Sequence, residues 1–161
     1  MKTTRQRNKH ILVMGVGNTL LQDDGVGVHV VNSVNDMPDP PDVNVLDGGT
    51  LGLSLLPEIE DAAGLIVVDA AQLGESPGSI RVFHNNEMDR QLSGKKSTVH
   101  EVAVADLLAA AAMSGQLPAK RALVVIQPAS IEWGLSPTSP VQAAIPKARD
   151  KVAEIARGWM T

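Results

Sequence analysis

Short apolar runs recur along the chain, and most of them end in glycine, proline or acidic residues. Ile11-Leu12-Val13-Met14-Gly15-Val16 reads as a buried strand that ends in a glycine turn. Asp23 and Asp24 then open a helix over about 24–35, because acidic groups favour the positive end of a helix. Pro38, Pro40 and Pro41 stop it. Val43 to Leu46 is the second strand, followed by the turn Asp47-Gly48-Gly49-Thr50 and a helix from about Gly52 to Glu60. Leu65-Ile66-Val67-Val68 forms a third strand closed by Asp69, and Ser79 to Phe83 a fourth, at or near an edge. Residues 85–99 are polar and carry Gly94, Lys95, Lys96 and Ser97, which reads as a loop. A helix with an Ala-Leu face runs from about His100 to Ser114. Ala122 to Ile126 is the last strand, Pro128 to Pro137 a loop, and Val141 to Arg157 the closing helix.

Strands that alternate with helices predict an α/β fold, a three-layer α/β/α sandwich around a mostly parallel sheet of about five strands. No internal repeat or long linker divides the 161 residues, so one domain is expected over 1–161, with residues 1–9 flexible. Phe83, Trp133 and Trp159 are the only aromatics, so the core must be aliphatic, as suits buried parallel strands.

Charge and cysteine content narrow the function. With a net charge of -4 and no basic block beyond the first ten residues, the chain is not expected to bind nucleic acid or anionic lipid. With no cysteine there is no disulfide, thiolate metal site or cysteine nucleophile. The run Ile11 to Val16 is broken at once by Gly17 and Asn18, unlike a signal peptide, and no stretch has the length of a membrane span. A cytoplasmic protein is expected. A monomer is expected too, since no apolar stripe is left unassigned.

In such sheets ligands bind beyond the carboxyl ends of the strands. The polar segments that fall there bring Asp23, Asp24, Asp47, Asp69 and His100 around one rim. Gly15-x-Gly17 begins like a dinucleotide-binding turn, but Leu20 stands where the third glycine belongs. Two carboxylates also occupy the place of a pyrophosphate, and a site offering carboxylates wants a cation. Each residue has a plainer reading beside this one: Asp23 and Asp24 as helix caps, Asp69 as a loop cap, His100 as a solvated or capping histidine. Placed at the start of a helix, His100 is expected to be neutral, the ligating form. His10, His29 and His84 read as structural or solvated. Two carboxylates and an imidazole suit nickel, zinc, manganese or cadmium, with positions left open for water or substrate. Val104 replaces the second histidine of H-E-x-x-H.

Four ordered motifs carry a family resemblance. Gly15-Val16-Gly17-Asn18-Thr19-Leu20 running into Asp23-Asp24-Gly25-Val26-Gly27, then Asp47-Gly48-Gly49-Thr50, then Leu65 to Ala70, then Ser97-Thr98-Val99-His100, together resemble the hydrogenase maturation endopeptidases from about Ile11 to Ala156. That resemblance implies that Asp24, Asp69 and His100 are the catalytic, metal-contacting residues. Asp47, Asn18 and Asp23 are placed behind them or in substrate binding, with Asp23 as the helix cap. It implies cleavage of a C-terminal extension from the precursor of a [NiFe]-hydrogenase large subunit. The nickel is expected to arrive on that precursor, and zinc or cadmium to act as stand-ins in the free enzyme. Residues 85–99 and 128–140 flank the rim and are placed to grip the substrate, with Trp133 either in that grip or anchoring its loop to the core. The competing readings are a metallochaperone that binds nickel without cutting and a nucleotide- or flavin-binding enzyme.

Overall fold

The computed structural model describes residues 10–49, 52–94 and 99–160, the side chain of Val99 excepted. The leader over 1–9, Thr50 of the second motif and Ser97 and Thr98 of the fourth lie outside the described residues.

Five strands form one sheet: β1 (Ile11–Val16), β2 (Val43–Gly49), β3 (Gly64–Ala70), β4 (Ile80–His84) and β5 (Lys120–Ile126), in the order β2-β1-β3-β5-β4. All pairings are parallel except β4 with β5, where β4 forms the antiparallel edge. The central strands are apolar at almost every position because helices cover both faces. Alternation along each strand divides the core in two. Ile11, Val13, Ile66, Val68, Val124 and Ile126 meet α1 (Val26–Val34) and α5 (Ser139–Met160). Leu12, Met14, Leu65, Val67, Leu123 and Val125 meet α2 (Leu56–Asp61), α3 (Asn86–Leu92) and α4 (Val99–Met113). The three-layer α/β sandwich is the expected fold.

The segment 85–99 is not all loop: α3 occupies Asn86–Leu92. Its apolar content is little more than Met88 and Leu92, one turn apart and both buried against the sheet. Tertiary contacts fix it, with the Arg121 guanidinium donating to both carboxylate oxygens of Asp89, at 3.0 Å from Nε and 2.5 Å from Nη2. Among the described residues no helix is long and apolar enough to cross a membrane.

Candidate active site at the carboxyl edge of the sheet

After β1 the chain makes a tight turn and a short 3₁₀ segment, Gln22–Gly25, before α1 begins. Glycine makes this approach possible. Gly17 has φ +122°, and a Cβ there would sit 1.9 Å from the carbonyl oxygen of Asp24. A Cβ on Gly27 would sit 2.1 Å from the carbonyl of Val68 in β3. The glycines therefore pack the acidic turn against the strands.

The turn delivers the two aspartates to different places. Asp23 is fully buried and is not the helix cap expected of it: no side-chain cap bond is formed at either the 3₁₀ segment or α1. Its carboxylate instead holds the loop between β5 and α5. Oδ2 accepts from the backbone N–H of Ala129 (2.8 Å) and Ser130 (3.0 Å) and from the Thr138 hydroxyl (2.7 Å), while Oδ1 accepts from the Thr138 N–H (2.7 Å). Burial opposes ionisation, but these four bonds outweigh it and hold the carboxyl below its ordinary value.

Asp24 faces the other way, towards α4. Its Oδ2 accepts from the Asn18 backbone N–H at 2.9 Å and lies 3.1 Å from His100 Nε2. Both side chains keep some contact with solvent, 16% for Asp24 and 23% for His100. Burial again opposes ionisation of Asp24, and the bonds from His100 and Asn18 together with the His100 charge more than offset it, so the carboxyl is held low. The same contact with Asp24 raises the His100 pKa above its ordinary value, although burial works against it. The helix start, expected to favour the neutral imidazole, is outweighed by a carboxylate in hydrogen-bond contact, so the shift runs upwards.

Asp69 shares the side of β3 that carries Leu65 and Val67, beneath the layer containing α4. The strand continues through Ala70, so Asp69 lies within it and is 2% exposed. Its Oδ1 accepts from the Ala70 N–H at 2.8 Å. Burial drives its pKa well above the ordinary carboxyl value; the His100 charge opposes this, and Glu101 and Asp24 add to it. Asp24, Asp69 and His100 thus act on one another electrostatically, with Asp24 and His100 in direct contact. Among the described residues no three His, Asp or Glu side chains are arranged to hold a metal ion by themselves.

The remaining candidates fall at the margin. Asn18 contributes its backbone N–H to Asp24, while its side-chain Oδ1 accepts from Leu20 N–H at 2.9 Å. Asp47 is exposed at the end of β2, where Oδ1 accepts from the Gly49 N–H at 2.9 Å and closes its own turn. Trp133 is 79% exposed, so it does not anchor its loop to the core. His10 and His84 are exposed, and His29 lies within α1 rather than in the turn before it. One residue was passed over in the sequence: Glu101, 4% exposed and charged, acts on both Asp69 and His100. The signal for it was the Thr98-x-x-Glu101 spacing at a helix start.

The chain as a whole is similar to known proteins. The family model for hydrogenase maturation protease, HycI, matches residues 28–155. The hydrogenase 2 maturation protease of Escherichia coli (strain K12) is 36% identical over 144 residues, covering 88% of this chain and 87% of the relative. The hydrogenase expression/formation protein HupD of Rhizobium leguminosarum bv. viciae is 36% identical over 151 residues, covering 92% of this chain and 75% of its own length. Among solved structures, the hydrogenase maturating endopeptidase HybD from E. coli superposes with a TM-score of 0.84 at 34% identity, covering 92% of this chain and 93% of that one. With the fold and these relatives in agreement, the chain belongs to the hydrogenase maturation protease family and is a peptidase.

Proposed function

We propose that this protein removes the C-terminal extension from the large-subunit precursor of a [NiFe] hydrogenase, and that Asp24, His100 and Asp69 engage the nickel carried by that precursor. The supporting observation is the Asp24–His100 contact at the carboxyl edge of the sheet, with a buried carboxyl beside it. First-row divalent cations such as zinc bind nitrogen and oxygen at about 2.0–2.2 Å, which sets neighbouring ligands about 3 Å apart. The 3.1 Å separation of Asp24 Oδ2 and His100 Nε2 suits two such ligands on one cation. A pair offers only two donors, so the remaining positions fall to Asp69 and to groups that the precursor brings with its metal.

In the free protein His100 and Asp69 both tend to hold a proton. A cation arriving on the precursor displaces the His100 proton and favours the ionised form of Asp69. The protein's own contribution is then to seat the metal centre so that the adjoining peptide bond meets Asp24 and Asp69. Either carboxylate, once unprotonated, would accept a proton from the attacking water and pass it to the amine released as the C–N bond breaks, and the precursor's metal would supply polarisation of the carbonyl. The reaction fits a protein that works where the precursor is assembled, in the cytoplasm.

The test is to incubate the protein with nickel-loaded and nickel-free precursor and to measure the precursor's mass. Loss of a C-terminal fragment from the loaded form alone is the expected result. Undiminished cleavage by His100→Gln and by Asp69→Asn would overturn the residue assignment, and an intact precursor in a stable complex would favour a carrier instead.

A further inference from the structure

Eight large apolar side chains stand exposed among the described residues, and they are not scattered. Leu20, Leu53, Val102, Ile131, Trp133 and Leu135 all lie in segments at the carboxyl edge of the sheet, where Asp24 meets His100. Met113 and Met160 end α4 and α5, both of which begin at that edge and run away from it. Single exposed apolar residues need no explanation, whereas a set gathered on one edge does. A cavity of about 550 Å³ borders His10, Ile11, Gly64 and Lys120 at the amino ends of the strands, away from these side chains.

The loop bearing Ile131, Trp133 and Leu135 is pinned to the reactive turn. Gly134 N–H donates to Leu20 carbonyl at 3.0 Å, Gln22 N–H donates to Gly134 carbonyl at 3.0 Å, and Ser130 Oγ donates to Gln22 Oε1. A chain of bonds runs from the active carboxylate to this loop. Asp24 accepts from Asn18 N–H, the Asn18 side chain accepts from Leu20 N–H, and the Leu20 carbonyl accepts from Gly134 N–H. Asp23 closes the other side with its four bonds to Ala129, Ser130 and Thr138. Trp133 and Leu135 are therefore held out to solvent by a braced frame, which is how a preorganised binding surface is built.

We propose that Trp133 and Leu135, with Leu20 and Ile131 of the same bonded frame, form the docking surface for an apolar stretch of the precursor next to the bond that is cut. The inference rests on the proposed function and adds to it the part of the site that grips the polypeptide. The occupant follows from the frame: the turn that carries Leu20 also carries Asp24, so a chain seated on Leu20 and Leu135 passes beside the Asp24–His100 pair. A polypeptide being processed has to do that, and an unrelated partner or a second copy has no such need.

The experiment compares wild type with the double variant Trp133→Ser, Leu135→Ser, measuring both Kd for the nickel-loaded precursor and the kinetics of its cleavage. Kd and KM should each rise at least about tenfold. Turnover at saturating precursor should stay within about threefold of wild type, as expected when binding and not chemistry is lost. The melting temperature should hold, because neither side chain packs in the core. Met113→Ser, an equally exposed residue on the far end of α4, should change none of these. Unchanged Kd and KM in the double variant would overturn the docking surface even if wild type cuts normally. Self-association of wild type that the double variant loses, with KM unmoved, would overturn it in favour of a second copy. A tenfold loss of binding in a protein whose wild type binds but never cuts would keep the surface and overturn the protease reading.

Discussion

Asp23 and Asp24 are adjacent in sequence and share one turn, yet they have opposite surroundings. Asp23 is fully buried and accepts four bonds from donors fixed in the loop at 129–138. Asp24 accepts one bond from a fixed backbone N–H and makes its other contact with an imidazole that gains and loses protons. A carboxylate saturated by rigid donors has no capacity left for a ligand, so it serves the fold. One whose partner exchanges a proton remains available to a cation. The neighbours thus differ in what they can do: Asp23 braces the frame, and Asp24 is the one left open to the proposed ligand.

That contrast is broken most sharply at the reactive pair. His100→Gln or Asp24→Asn should lower precursor cleavage by about 10²–10⁴-fold, the range for removing a positioned acid–base group. Thermal melts of the same variants should move little. Asp23→Ala should do the reverse in its primary effect. It strands buried N–H and hydroxyl donors and should cost about 3 kcal/mol or more, read from urea unfolding. In a domain of this size that corresponds to a fall in melting temperature of about 6–12 °C. Equal destabilisation by Asp24→Ala and Asp23→Ala would erase the distinction.

Acid titration separates the two kinds of carboxyl further. The Asp23 carboxyl is held below its ordinary 3.8, so its contribution is complete above that value and is lost as the pH falls through the lower folded value. Asp23→Asn should lack that acid limb. Asp69 and His100 have the opposite sign: their folded values are raised, so their contributions are complete below the ordinary values of 3.8 and 6.5 and decline as pH rises through the folded ones. Asp69→Asn should therefore melt higher than wild type at neutral pH while failing to cut the precursor. A lower melting temperature there would show that the Asp69 carboxyl is stabilised by contacts that an amide cannot replace.

The smallest effect is expected at Asn18. Its side chain bonds only within its own turn in the contacts described above, and the Asp24 oxygen is met by its backbone N–H. Asn18→Ala should cost about 0.5–1.5 kcal/mol, the net worth of one ordinary hydrogen bond, and leave the Asp24–His100 contact in place. A loss of cleavage as large as that of Asp24→Asn would give the Asn18 amide a direct part in the site.

Much of this was legible along the chain. The apolar runs marked all five strands: buried parallel strands β1, β3 and β5 leave continuous hydrophobic segments, and the half-buried outer strands β2 and β4 leave shorter, interrupted ones. The helices with extended apolar faces, α1, α4 and α5, were legible for the same kind of reason. Helix α3 was not, since Met88 and Leu92 are too little signal and the Arg121–Asp89 bridge comes from a strand far along the chain. At the site, Asp24, Asp69 and His100 could be named as candidates by residue type and by their positions after strands or at a helix start. Their protonation could not, because it depends on distances between segments that lie 76 residues apart in the Asp24–His100 contact. Sequence by itself determined the layered fold, its aliphatic core and the edge where chemistry collects, since these follow from local periodicity and chain order. Only the tertiary structure decided that Asp23 is saturated by the loop at 129–138 while Asp24 meets His100, that this contact raises the His100 pKa, and that Trp133 faces solvent. Each of those outcomes is set by burial and by partners the chain brings together only when it folds.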